Sequence, residues 1–96
     1  MNLRLTYETR CEQHYEIEQD GQSIGHVLAV IERAGIQWQV LTVLTLGAER
    51  WTRTDPANSR YDAKRARNRH IQAIETARIA GFFTPAAGTD KESTGA

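Results

Sequence analysis

Residues 15–51 read YEIEQDGQSIGHVLAVIERAGIQWQVLTVLTLGAERW, and three turn signals divide this stretch into four alternating strands. Asp20-Gly21 is typical of a two-residue type I′ hairpin, because both central positions of that turn need a positive φ. Gly47-Ala48 indicates a type II′ turn with glycine in the first central position. Between them, Arg33-Ala34-Gly35 predicts a three-residue loop with glycine in the left-handed position. The stretch therefore predicts an antiparallel meander.

The turns also predict which residues pair, since hairpin geometry fixes the strand register. A further strand precedes the stretch, because Leu3, Leu5 and Tyr7 alternate with polar residues. The predicted pairs are Tyr7–Tyr15, Leu5–Ile17, Arg4–Glu18, Ile17–Ile24, Tyr15–His26, Val30–Trp38, Leu28–Val40, Ile24–Leu44 and Leu44–Trp51. Apart from the Arg4–Glu18 charge pair, these partners share one inner face of the sheet.

A single helix follows the strands. Asp55-Pro56 is a start signal, with Asp as N-cap and Pro in the first turn, and Ser59 with Asp62 is a competing one. Gly81 fits the position just beyond the helix end. The predicted buried face is small and alanine-rich: Ala63, Ala66, His70, Ala73, Ile74 and Ala77.

The predicted fold is α+β: a two-layer sandwich in which an antiparallel four- to five-stranded β-meander is followed by one long C-terminal helix packed on one face. A chain of 96 residues holds one modest core. We expect one domain over residues 1–83 and a disordered tail over residues 84–96, whose sequence is TPAAGTDKESTGA.

One helix can cover only one face of this sheet, and the predicted register leaves apolar residues on the other. The open face is predicted to present Val27, Ala29, Ile31, Leu41 and Val43, with Gln37 and Gln39 beside them. The predicted partner-binding residues are Val27, Ile31, Gln37, Gln39, Leu41 and Val43. Three interpretations stay open: a homodimer interface, a docking site for another protein, or a cover formed by the tail through Phe82 and Phe83.

The helix is strongly basic, although the whole chain has a net charge of zero. Arg60, Lys64, Arg67 and Arg78 line one flank and are predicted to bind an acidic partner or a phosphate group. The alternative is a solvated helix whose long side chains cover the sheet edge. Nucleic acid is the second choice as a partner, through backbone contact, because the sequence pI is near 6.8 whereas nucleic-acid-binding domains exceed ~9.

Histidines and the cysteine indicate no metal site. His26 and His70 are predicted to lie in the core, hydrogen-bonded to Tyr7, Tyr15 or Thr42, and a third ligand is missing. No nucleophile elbow or glycine-rich phosphate loop is present in the sequence, so we expect no enzyme activity and no cofactor.

The single cysteine suits a reducing compartment, and the sequence contains neither a signal peptide nor a long apolar run, so we expect a cytoplasmic protein without membrane contact. The most consistent function is a small protein-interaction module, dimeric or docked to a partner through the open face. Its small size and lack of catalytic motifs suit an accessory or inhibitory protein of a phage or plasmid.

Overall fold

The structure, a computed structural model, describes residues 1–86. It is α+β, as predicted, but its antiparallel sheet has six strands in sequential order rather than four or five. The elements are β1 Asn2–Glu8, β2 Glu12–Gln19, β3 Gln22–Ala34, β4 Gln37–Leu46, β5 Glu49–Ala57, α1 Arg60–Glu75 and β6 Thr84–Pro85. Within residues 1–86, no helix has the length and apolar character needed to cross a membrane.

Two of the three turns follow the prediction. Asp20 and Gly21 have φ values of 53° and 78°, the two positive angles that a type I′ turn requires. Gly47 has a φ of 59° at the start of the β4–β5 turn, which brings Leu44 opposite Trp51. The third turn is a two-residue loop in which Gly35 has a φ of 67°, so Trp38 pairs with Arg33 rather than with Val30.

A β-bulge reverses the faces of β3 relative to the prediction. The Asp20-Gly21 turn pairs Glu18 with Ser23, but the next pair is Ile17 with Gly25, so Ile24 is an extra residue. A Cβ on Gly25 would lie 2.1 Å from the Thr45 carbonyl oxygen, which explains why only glycine fits. Because side chains alternate along a strand, one extra residue turns every later side chain to the opposite face.

The edge strand β1 is displaced by two residues from the predicted register. Leu3 lies opposite Ile17 and Leu5 opposite Tyr15, and a register shift follows between Leu5 and Tyr7. Tyr7 therefore reaches the open face, where its ring meets that of His14 edge-on at 5.1 Å.

The predicted Arg4–Glu18 charge pair is present, with a 2.9 Å ion pair between Arg4 Nε and Glu18 Oε2. Arg4 also binds Glu16, which is the residue directly opposite it.

The helix begins at the second of the two predicted starts. Ser59 is the N-cap and accepts a hydrogen bond from the Asp62 backbone N–H at 3.1 Å. Asp55-Pro56 belongs to β5 instead, where the Asp55 carboxylate is bound by Arg53 and His70. Pro56 is tolerated there because β6 pairs with β5 only at Trp51 and Thr52 and leaves the rest of that edge open.

The helix ends earlier than predicted, six residues before Gly81. Ala77, with a φ of 58°, takes the left-handed position that glycine usually occupies. Its N–H donates to the Ile74 carbonyl at 3.0 Å, and the Arg78 N–H donates to the Ala73 carbonyl at 2.8 Å. This pair of bonds is a Schellman motif, and it leaves Ala77 exposed rather than on the buried face.

The core lies between α1 and strands β2–β5 in two clusters. One contains Ala63 and Ala66 of the helix with Ile31, Val40, Ala57 and the partly buried Trp38. The other is built from Ile17, Val27, Ala29, Leu44, Ile71, Ala73, Ile74, Ile79 and Phe83. The alanines allow close approach of the helix to the sheet, as the small predicted face indicated.

A short sixth strand follows residue 83, the predicted end of the domain. Thr84 and Pro85 pair with β5, and the Ala86 N–H donates to the Arg50 carbonyl at 2.8 Å. Phe82 and Phe83 pack on the helix side of the sheet, so they do not cover the open face as one interpretation proposed. The rest of the predicted tail, residues 87–96, lies outside the described residues.

Candidate functional site

The open face of the sheet carries a central group of four apolar side chains. Leu28 lies opposite Val43 and Val30 opposite Leu41, so the four form a contiguous block that we call the open-face patch. Each is only partly buried, and α1 packs on the opposite side of the sheet, against β3, β4 and β5. No segment of residues 1–86 lies over the patch.

The two flanks of the open-face patch differ in charge. Strand β2 places acidic and imidazole side chains beside it, and β5 places hydroxyl groups and one arginine on the other side. The β2 flank consists of Glu12, His14, Glu16 and Glu18, and the β5 flank of Arg50, Thr52 and Thr54. Much of the β2 flank is internally paired: Arg4 binds both Glu16 and Glu18, and His14 lies 3.1 Å from Glu12.

The predicted binding residues divide between the two faces. Leu41, Val43 and Gln39 lie on the open face as expected, and Gln39 donates to Glu32 at 2.6 Å. Gln37 lies at the strand end and donates to the Ala57 carbonyl at 2.6 Å.

The placement of Val27 and Ile31 on the open face is wrong. Each is 1% exposed and packs in the core on the helix side. The bulge at Gly25 is the physical reason. It also places Leu28 and Val30 on the open face, where the prediction did not put them. A glycine inside an alternating strand was the available signal.

The predicted basic flank of the helix separates into two parts. Arg60, Lys64 and Arg67 lie on the side of α1 that faces β2, and Arg60 contacts Cys11 just before that strand, with 3.8 Å between Nη2 and Sγ. Arg78 follows the helix end and lines a shallow cavity with Arg69, Gln72, Ala73, Thr76 and Phe82. It is therefore not part of one continuous ridge with the other three.

Arg67 is not solvated, as one of the two interpretations of the basic flank expected, because only 8% of the residue is exposed. The Nε atoms of both Arg60 and Arg67 are enclosed and have no hydrogen-bond partner among residues 1–86. Arg67 forms no ion pair with any described carboxylate either. An enclosed donor without a partner costs about 1–3 kcal/mol. Lys64, by contrast, is exposed between the two arginines.

A hydrogen-bonded network lies at the centre of the core. His70, which is 0% exposed, has its Nδ1 2.7 Å from Thr42 Oγ1 and its Nε2 2.6 Å from Asp55 Oδ2. An ionised carboxylate can only accept, so Nε2–H donates to Asp55 and the Thr42 hydroxyl donates to Nδ1. Arg53 binds Asp55 at 2.7 Å and donates to the Phe82 carbonyl at 3.0 Å, which ties the segment after the helix to the network.

The network shifts the acidity of both titratable partners. Burial lowers the pKa of His70 below its ordinary value, against the opposing effect of the hydrogen bond and charge of Asp55. The hydrogen bond from Arg53 lowers the pKa of Asp55 and, together with that from His70, outweighs the effect of burial. At neutral pH both shifts favour a neutral His70 beside an ionised Asp55.

Thr42, His70 and Asp55 share the residue types of a hydroxyl–imidazole–carboxylate catalytic triad. The Thr42 hydroxyl and the His70 ring are both fully buried, at 0% exposure, so a substrate cannot approach the oxygen that would act as nucleophile. We interpret the network as a structural link between α1, β4 and β5.

The bond between His70 and Thr42 was one of the predicted core histidine contacts, and it is confirmed. The core position of His26 is wrong, because the bulge turns that residue to the exposed open face. Within residues 1–86, no three His, Cys, Asp or Glu side chains form a group that could hold a metal ion.

Comparison of the chain with protein-family models, with curated protein sequences and with solved structures gave no match in any of the three searches.

Proposed function

We propose that this chain is a small non-enzymatic interaction protein that pairs face to face with a second copy through the open-face patch. One observation carries the proposal: Leu28, Val30, Leu41 and Val43 form an apolar block at the centre of a broad sheet face that nothing in residues 1–86 covers. Contiguous apolar area on a soluble protein marks an interaction surface more often than isolated apolar residues do.

Charge distribution supports a second copy as the partner. A two-fold axis parallel to the strands would lay the acidic β2 flank of one chain over the β5 flank of the other. Arg50 and the hydroxyl groups of Thr52 and Thr54 would then meet Glu12 and Glu16 of the second copy. Such an arrangement is isologous, so the patch packs against itself and each flank meets its complement. Aligned sheets pack in this way ~10 Å apart.

Sedimentation equilibrium of the purified chain tests the proposal. We expect wild type to be dimeric and Leu41→Asp to be monomeric, because a carboxylate at the centre of the patch would be buried without a partner. Asn68→Asp is the matched control: it introduces the same charge on the exposed surface of α1, and we expect it to remain dimeric.

Circular dichroism of Leu41→Asp must show a native spectrum for the comparison to stand. A monomeric wild type, or two variants that are both monomeric, would contradict the proposed role of the patch.

The basic flank of α1 completes this function as a second surface, directed at an acidic partner. Its support is the unpaired charge of Arg60, Lys64 and Arg67, which no described carboxylate neutralises.

A further inference from the structure

The helix does not cover the whole inner face of the sheet. Its most extensive packing is against β3, β4 and β5, and Leu3, Tyr15 and Ile17 of the first two strands also contact this core. Beyond these residues, the inner face of β1 borders a space beside α1. Leu5 shows this directly, since it points to the helix side and is 45% exposed. We call this space the β1–β2 groove. Its residues are Leu5, Gln13 and Tyr15 on the sheet and Arg60, Lys64 and Arg67 on the helix.

The groove has defined ends and a partly polar floor. At one end the N-terminal ammonium group of Met1 donates to the Glu75 carbonyl at 2.9 Å, which ties β1 to the last turn of α1. At the other end Arg60 contacts Cys11. On the floor the Tyr15 hydroxyl donates to Gln13 Oε1 at 2.7 Å, and Gln13 donates to Glu8 at 2.6 Å.

Arg67 is the residue whose unsatisfied hydrogen-bond donors indicate a ligand. It is more than nine-tenths buried, and its Nε has no partner among residues 1–86. Its terminal nitrogens form no hydrogen bond in that range either, and they are not among the fully enclosed unpaired atoms. Tyr15 lies close enough for the positive charge of Arg67 to act on it: burial raises the pKa of Tyr15, and Arg67 opposes that shift.

The three cations form a row rather than a point. Arg60 and Arg67 are seven residues apart, so they are separated by ~10 Å along the helix axis, with Lys64 between them. An extended peptide presents side chains on one face every ~6.6 Å, which suits consecutive carboxylates reaching adjacent cations of this row. Guanidinium groups bind carboxylates through paired, charge-assisted hydrogen bonds.

We infer that the β1–β2 groove binds an extended acidic protein segment, whose carboxylates pair with Arg60, Lys64 and Arg67 and whose apolar neighbours contact Leu5. The inference rests on the proposed function only in taking the partner to be a protein. Two carboxylates border the groove: Glu75 lies at the Met1 end, and Glu8, which is bound by Gln13, lies toward the Cys11 end.

A protein carboxylate fits this site better than the phosphates of a nucleic acid. The Arg67 guanidinium is recessed, and the broad surface of a duplex contacts cations that project from a protein. The chain is also neutral overall, with no excess of positive charge to concentrate a polyanion. A side-chain carboxylate on a single extended strand is a much narrower group than a duplex.

The test uses the full chain labelled with ¹⁵N and follows the side-chain Nε–H resonances of the arginines at constant ionic strength. Three probes are titrated separately: a blocked hexaglutamate peptide, inorganic phosphate and a short DNA duplex. We expect saturable shifts of the Arg60 and Arg67 resonances with the peptide. Arg67→Gln should weaken peptide binding about tenfold or more, the expected loss for a charge-assisted bond.

Arg69→Gln is the matched control, because it removes the same charge from an exposed position of α1 outside the groove. We expect a change below about twofold, as for an exposed charge. Arg67→Gln should fold at least as stably as wild type, because it removes a buried cation that has no partner.

Three results would overturn the inference: no saturable shift with the peptide, equal weakening by both variants, or binding of the duplex or phosphate in place of the peptide. Peptide binding is independent of self-pairing, because Leu41 lies on the other face of the sheet. The Leu41→Asp variant should therefore bind the peptide with unchanged affinity. If the chain dimerises but does not bind the peptide, only the proposed peptide site is refuted. If it binds the peptide as a monomer, only the proposed dimer is refuted.

Discussion

Replacing Gly25 with alanine tests the bulge that decides which face of β3 is buried. The new Cβ would lie 2.1 Å from the Thr45 carbonyl oxygen, a backbone atom of the central strand β4. To restore an ordinary C···O contact of ~3.3 Å, β3 and β4 would have to separate by roughly 1 Å. Overpacking of this kind costs about 1–3 kcal/mol, and the loss of one ladder hydrogen bond adds about 1 kcal/mol, so we expect roughly 2–4 kcal/mol of destabilisation.

Urea and thermal unfolding followed by the fluorescence of Trp38 and Trp51 measure this loss. For a domain of this size the expected fall in melting temperature is roughly 10–25 °C. Gly81→Ala is the matched control, because a Cβ there meets no heavy atom within 4 Å and the backbone has no positive φ. If Gly25→Ala unfolds within about 0.5 kcal/mol of wild type, the explanation of the bulge by close backbone approach is refuted.

Two further predictions concern the helix end and the buried histidine. Ala77→Gly should stabilise the chain by about 0.5–1 kcal/mol, because glycine removes the strain of a left-handed alanine at an exposed site; a lower unfolding midpoint in urea would contradict this. Burial lowers the pKa of His70 in the folded chain, so the unfolded chain takes up a proton first as the pH falls. The stabilising contribution of the neutral His70 is therefore fully present above about pH 6.5 and is lost as the pH falls toward the folded-state pKa. The measurement is the urea midpoint between about pH 5 and pH 7.5: His70→Gln should abolish its fall at low pH, whereas replacement of the exposed His26 by Gln should retain it. An unchanged pH profile in His70→Gln would assign the titration to another group.

Turn chemistry was the part of the fold that the sequence could specify. Asp20-Gly21 and Gly47-Ala48 gave their turn types because a positive φ at defined positions restricts the residues allowed. Gly35 was identified as left-handed, but the loop length depends on pairing along the whole of β3 and β4, which no local signal records. The helix start was ambiguous for a similar reason, since Asp55 is bound by His70, a residue 15 positions later in the chain.

The candidate surfaces were only partly predictable for reasons of residue type. Leu41 and Val43 were placed correctly because Gln37 and Gln39 alternate with Trp38 and Val40 at the start of β4, and that pattern survives a change of loop. The run VLAVI, residues 27–31, is apolar at every position, so it gives no sign of which alternate residues face the helix. The burial of Arg67 was not predictable either, because its position on the flank of α1 depends on how far the helix covers the sheet.

The same run explains why an apolar open face follows from either register. With the bulge, Val27, Ala29 and Ile31 enter the core and Leu28 and Val30 remain outside; without it the two sets exchange places. A strand that is apolar on both sides is typical of sheets covered on both faces, and this chain has only one helix among its described residues. Gly25 therefore selects which apolar residues face outward, whereas the composition of β3 ensures that some do. The need for a cover over β3 and β4 is thus a property of the strand itself, and it is the strongest physical reason to look for a second copy on that face.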